Sequence, residues 1–146
     1  MVLAAILLGA PHIPNVPFLY ERMFPAGTAT AVPGCILVLA GLGLSAWARR
    51  HLGRNWSGRV TLKEDHELIC SGPYAAVRHP IYTGLLAAIA GTTMVLGEWR
   101  GLAAVLLMGL SYWRKLRIEE RLLRGTFGDN YRRYCEHTAA LIPYVL

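Results

Sequence analysis

"PIYTGLLAAIAGTTMVLG", residues 80–97, runs for 18 residues without Asp, Glu, Lys or Arg. Glu98-Trp99-Arg100 interrupts it, and a second uncharged run, 101–113, follows before Arg114 and Lys115. Upstream, residues 23–48 form a third run between Arg22 and Arg49. About 20 apolar residues cross a bilayer as a helix, and about 17 is the lower limit. The run 23–48 qualifies, best centred on 30–48, and 80–97 qualifies narrowly. The run 101–113 reaches the length only through Arg114 and Lys115, whose long side chains can snorkel. An apolar fraction of 54% and a charged fraction of 16% would also fit an unusually apolar soluble helical protein. The sorting of the charges into blocks decides against it. We therefore expect an all-α, polytopic transmembrane protein of about 3–4 spans, with a C-terminal helical hairpin over about 80–124.

A chain of 146 residues suits one domain, 1–146, embedded in the membrane. Residues 1–20 are free of Asp, Glu, Lys and Arg, yet Pro11, Pro14 and Pro17 break any straight helix, so 1–29 is read as a partial or broken first span. It lacks the basic start and small-residue cleavage site of a signal peptide. The net charge of +6 is unevenly placed: residues 49–79 carry six Lys/Arg against three acids, and 114–140 carry seven against four. Both segments should face the cytoplasm, as the positive-inside rule requires, where they would also meet anionic lipid. Topology accounts for the basicity, and no nucleic acid is needed. Trp47, Trp56, Trp99 and Trp113 all fall near expected interfaces. Gly41 and Ser45, four residues apart, would let a second helix approach closely.

Cys35, Cys70 and Cys135 show no metal-ligand spacing, and we expect neither disulfide nor metal. There is no GxGxxG or Walker sequence, and "GLGLS" lies inside an apolar run, which excludes a Rossmann nucleotide site. What stands out is the crowded threshold "GPYAAVRHPIYTG", residues 72–84. Topology explains part of it, since Arg78 marks a boundary and Pro80 opens a helix. It leaves Tyr74 and Tyr82 without a reason. Downstream, "WRKLRIEERLLRG" should carry the last helix out of the membrane, with Gly125 as its stop. Adjacent Glu119 and Glu120 lie about 100° apart on a helix and cannot face one ligand equally. One would face inward while the other pairs with Arg124 or Lys115. Leu122 and Leu123 suggest that this helix is partly buried. A lone His66 in a polar segment is most simply a surface residue.

Taken together and in order, "HELICSGPYAAVRHPIYTG" at 66–84, an apolar helical pair, and "RIEERLLRGTFGDNYRRY" at 117–134 resemble the isoprenylcysteine carboxyl methyltransferase and phospholipid methyltransferase superfamily. "WARRHLGRNWSGRV" before them resembles its bacterial members, so the likeness runs from Ala48 to the C-terminus. It implies an integral enzyme of the bacterial inner membrane that uses S-adenosylmethionine in a helical pocket on the cytoplasmic side. His66, Glu67, Leu68, Ile69, Tyr74, His79, Pro80, Ile81, Tyr82 and Glu119 would line the cofactor site. Arg117, or Lys115 by another spacing, would orient the acceptor. Glu120 would be the base if the acceptor were an amine, whereas a carboxylate acceptor is already ionised and needs none. The expected acceptor is a small amphipathic or lipidic molecule such as a prenylcysteine-like carboxylate. Arg59 departs from the resemblance, standing where eukaryotic members tend to carry a glutamine. Two other readings remain: an NADPH-dependent membrane reductase of the sterol-reductase type, and a non-catalytic scaffold.

Overall fold

The computed structural model describes residues 2–9, 15–25, 27–53 and 68–142. Helices make up 81% of it, with no strand among the described residues. The described residues form four α-helices: α1 Val2–Gly9, α2 Thr28–Leu52, α3 Pro80–Leu96 and α4 Trp99–His137. Short 3-10 helices at Pro17–Tyr20 and Gly72–Ala75 precede α2 and α3. The chain divides into two compact units, and each is described separately.

The first unit comprises Met1–Leu42 and Gly84–Ser111. Its longest apolar element belongs to α2, 25 residues long, whose most apolar 18-residue window has a mean hydropathy of 1.9. Only 17% of its most apolar stretch is buried, and Leu39 is 71% exposed. The core helix of a soluble protein would be covered, so these side chains call for an apolar medium. Within the unit α2 and α3 approach until backbone nearly meets backbone. A Cβ on Gly34 would sit 2.8 Å from the Gly91 carbonyl oxygen, and one on Gly41 would strike the Gly84 carbonyl. The glycines thus pair antiparallel, 34 with 91 and 41 with 84. The close approach expected at Gly41 is present, and Gly84 opposite is its complement. Gly97, at φ +65, ends α3 with its N–H on Thr93 O at 2.8 Å. The Gly97 carbonyl accepts from Met23 N at 2.7 Å, while Arg100 pairs with Glu98 at 2.6 Å and covers the Tyr20 ring.

The second unit comprises Gly43–Thr83 and Tyr112–Leu146. Here the inward row of α4 is Tyr112, Leu116, Glu120, Leu123, Phe127 and Tyr131, spaced by three or four residues. Leu123 keeps its expected place, but Leu122 is exposed, so the burial inferred from the pair belongs to Leu116 and Leu123 instead. The helix also passes Gly125. Its break comes three residues later at Gly128, with φ 50 and ψ −123. Gly125 satisfies the pattern of a helix stop, yet its neighbours keep their helical bonds; only Gly128 adopts the left-handed backbone that glycine tolerates. After the break a second helical stretch runs to His137. Residues 138–141 then lie alongside 77–83: Arg78 N donates to Ala139 O at 2.8 Å and His79 N to Ala140 O at 3.1 Å. Thr83 Oγ1 adds a bond to Leu141 O at 2.6 Å.

Candidate functional site

The polar groups of the second unit converge on His79. This residue stands just before α3, where Pro80, fully buried, fixes the backbone at the first helical position. Tyr82 comes one turn later, and its ring lies parallel to the imidazole, at 5.6 Å between centroids and 8° between planes. Tyr82 also stacks on Tyr112 of α4 at 4.7 Å. Its hydroxyl donates to Glu119 Oε1 at 2.6 Å. One tyrosine therefore joins α3 to α4 by its ring and by its oxygen.

Glu119 and Glu120 do not divide into an inward and an outward carboxylate as expected. Both reach His79, because the imidazole presents a nitrogen on each of two edges. Glu119 Oε2 is 3.5 Å from Nδ1, and Glu120 Oε1 is 3.6 Å from Nε2. Their outer partners differ, and those were foreseen: Lys115 Nζ is 3.9 Å from Glu119, and Arg124 is 3.5 Å from Glu120. Arg78 supplies what the sequence did not suggest. Its Nε donates to Glu120 Oε1 at 2.9 Å, with both side chains largely buried. Its Nη1 donates to Cys135 O at 3.4 Å and to Thr138 O.

The charges reflect this geometry. Burial works against ionisation of Glu120, but His79 and Arg78 outweigh it and hold the carboxyl at about 2. For Glu119 burial is likewise opposed, by His79, the Tyr82 hydroxyl and Lys115, and the net shift is downward. His79 is pushed down by burial and up by the two flanking carboxylates; the carboxylates prevail, and the imidazole holds its proton above the usual range. Tyr74, buried and facing the field of Glu119, is raised to about 12 and stays a neutral phenol.

Other expected residues are dispersed around the cluster. His66 and Glu67 lie outside the described residues. Leu68 and Ile69 are half-buried, shortly before the Gly72–Ala75 turn. Tyr74 is buried, its hydroxyl 3.5 Å from Ala48 O, and its own carbonyl accepts from Tyr134 at 2.6 Å. The Ile81 carbonyl accepts from Ser45 Oγ at 3.1 Å. Arg117 is not brought to the cluster; it is exposed, with its guanidinium 5.3 Å from the Trp113 ring centroid. Lys115 is brought there, 5.3 Å over the Tyr82 ring. Arg78, Tyr112, Tyr131 and Tyr134 were missed. For Tyr112 and Tyr131 a signal existed, since both continue the α4 row through Glu120.

Comparison with known proteins gives this geometry a setting. The family model for phospholipid methyltransferases matches residues 29–130. The protein-S-isoprenylcysteine O-methyltransferase of Schizosaccharomyces pombe is 35% identical over 99 residues, 64% of this chain and 41% of that protein. The cobalt-zinc-cadmium resistance protein CzcN of Cupriavidus metallidurans is 32% identical over 117 residues, 78% of this chain and 52% of that protein. Among solved structures, the eukaryotic intramembrane Ras methyltransferase ICMT (isoprenylcysteine carboxyl methyltransferase) superposes with a TM-score of 0.75 at 28% identity, over 80% of this chain and 43% of that one. This chain spans about half the length of the curated relatives it matches.

Proposed function

The chain belongs to the phospholipid methyltransferase family, and from that premise we propose that it is an integral membrane methyltransferase that transfers a methyl group from S-adenosylmethionine to a lipidic or amphipathic acceptor at the cytoplasmic face. The observation that carries this reading is the His79–Tyr82–Glu119 cluster, assembled where the resemblance would put the cofactor.

The residues present fit the amino-acid end of such a cofactor. A carboxylate offers about four lone-pair positions. Tyr82 occupies one on Glu119, and those left over suit an ammonium group. The His79 imidazole, buried between the two carboxylates, together with Lys115 provides positive charge for a carboxylate. S-adenosylmethionine, when bound, supplies an electrophilic methyl group. What the chain supplies is direction and exclusion of water. Tyr82 holds Glu119, His79 is fixed between two carboxylates, and the stacked Tyr82 and Tyr112 rings fill the space beside them with apolar surface.

An ionised acceptor would be oriented by Lys115 beside Glu119 and by Arg117 resting on Trp113, at the depth where indoles favour headgroups. Glu120, held at about 2 and engaged by Arg78, is a weak base. That favours a carboxylate acceptor, which needs no base, over an amine. The test is calorimetric titration of the detergent-solubilised protein with S-adenosylhomocysteine and, separately, with NADPH. Saturable binding of the first alone is expected. Binding of NADPH alone would transfer the protein to the reductase reading, and silence from both in a folded sample would favour a scaffold.

A further inference from the structure

Arg78 does more than neutralise Glu120. Its planar guanidinium reaches three acceptors on α4 and the chain beyond it: Glu120 Oε1, Cys135 O and Thr138 O. The backbone on either side of its side chain is also bound to the C-terminal segment. Val77 forms a parallel bridge with Ala139, Arg78 N donates to Ala139 O and His79 N to Ala140 O. Thr83 closes the row on Leu141 O. Residues 138–141 thus form a strap along the threshold before α3, and Arg78 is the side chain that binds strap and Glu120 at once. His79, the next residue, meets both as well: its N–H donates to Ala140 O and its Nε2 lies 3.6 Å from Glu120 Oε1.

We propose that Arg78 is a positioning residue for the site: by tying the 138–141 strap to Glu120 it sets the His79 imidazole between Glu119 and Glu120. Arg78 does not touch the cofactor in this arrangement; it acts through its neighbour. The fork is what matters, because a lysine in its place keeps the charge but offers no planar array for three fixed acceptors. The proposal rests on the cofactor reading above for its functional consequence, but the tie itself is testable without ligand.

The groups facing His79 are Glu119 and Glu120 from α4, with Lys115 and Arg124 behind the carboxylates and Tyr131 near Glu120 and Arg78, Tyr82 from α3, and Arg78 beside it. Removing Arg78 leaves Glu120 uncompensated, so the imidazole should keep its proton to higher pH. The experiment uses the full chain in detergent with carbon-13-labelled histidine, His79 being assigned by its loss in His79→Gln. In Arg78→Gln the NMR titration midpoint of His79 should rise by about one pH unit. Affinity for S-adenosylhomocysteine should fall about tenfold in both Arg78→Gln and Arg78→Lys, and stay unchanged in Arg132→Gln, an exposed control. Wild-type affinity in Arg78→Lys would overturn the role of the fork. An unmoved His79 midpoint in Arg78→Gln would overturn the tie. If wild type binds no S-adenosylhomocysteine, the cofactor reading fails while the titration still decides the tie. Should the Arg78 variants not fold, Thr83→Val, which deletes the hydroxyl's bonds to Leu141 O on the strap and to His79 O, should weaken binding about threefold and alter the His79 signal; no change in either overturns the proposal.

Discussion

The two units are held by contrasting means. In the first, α2 and α3 close on Gly34, Gly91, Gly41 and Gly84, where the absence of side chains lets backbones meet. In the second, closure depends on Arg78, His79, Glu119, Glu120 and a set of tyrosines. The difference stems from the medium. Lipid tails are as apolar as leucine, so helices embedded in them gain little by burying more leucine and must gain contact by approach. The cofactor site proposed for the second unit would need fixed charges, and these must be paired to be tolerated away from water. The apolar unit is therefore sensitive to added volume, and the polar one to lost partners.

That contrast can be broken by substitution. Glu120→Ala strands a buried Arg78 and should cost about 3–5 kcal/mol in chemical unfolding, read as lost hydrogen-exchange protection across 112–131. A loss under about 1 kcal/mol would mean that the second unit does not depend on its ion pair. Gly91→Leu should cost about 3 kcal/mol by forcing atoms into Gly34 and Val38, with the loss of protection centred on α2 and α3. A tolerated leucine would remove the sensitivity to volume. Glu119→Gln should leave unfolding nearly unchanged but lower S-adenosylhomocysteine affinity about 10–100-fold, in line with about 1.5–3 kcal/mol for a charged hydrogen bond.

Titration sharpens the same contrast. The folded Glu120 value is depressed, so its contribution is complete above the ordinary carboxylate value of 4.5 and is lost as pH falls through about 2. The His79 value is raised, so its contribution is complete below the ordinary 6.5 and is lost as pH rises through the folded value. Protection in the second unit should plateau between those limits; His79→Gln should flatten the alkaline slope and Glu120→Gln the acid one. Equal pH dependence in both units would contradict it. The smallest effect concerns open space: beyond its chain neighbours and the backbone of its own helix, nothing described lies within 4 Å of a Cβ on Gly109, and Gly109→Ala should stabilise by about 0.5–1 kcal/mol in thermal unfolding.

The all-helical class was legible because charge-free runs of span length leave few alternatives in the bilayer. Hence α2 and α3 lie where the composition puts them. The threshold residues and the carboxylate pair were legible as a set, through their order along the chain. Their pairing was not. Angular separation on one helix says nothing of a ring inserted from another element, so a histidine reached by both carboxylates escaped a one-helix argument. The same limit hid Arg78, which reads as a boundary charge until its partners 42 and 60 residues away are seen. Gly125 and Gly128 are equivalent as letters, and only the folded backbone shows which one turns. Lys115 and Arg117 differ by two positions, enough to put one beside Glu119 and the other on Trp113.

The turn at Gly128 has one more consequence, for the length of the chain itself. Had α4 run straight, Glu120 and Thr138 would stand about 27 Å apart. One guanidinium binds both. The segment between them is therefore a closed circuit with an arginine as its clasp, and its residue count is fixed as a belt is fixed by its buckle hole. Each inserted residue would rotate the downstream helix by about 100° and carry the Thr138 carbonyl off the clasp. Length variation that a surface loop absorbs easily should be intolerable there, on whichever side of Gly128 it falls.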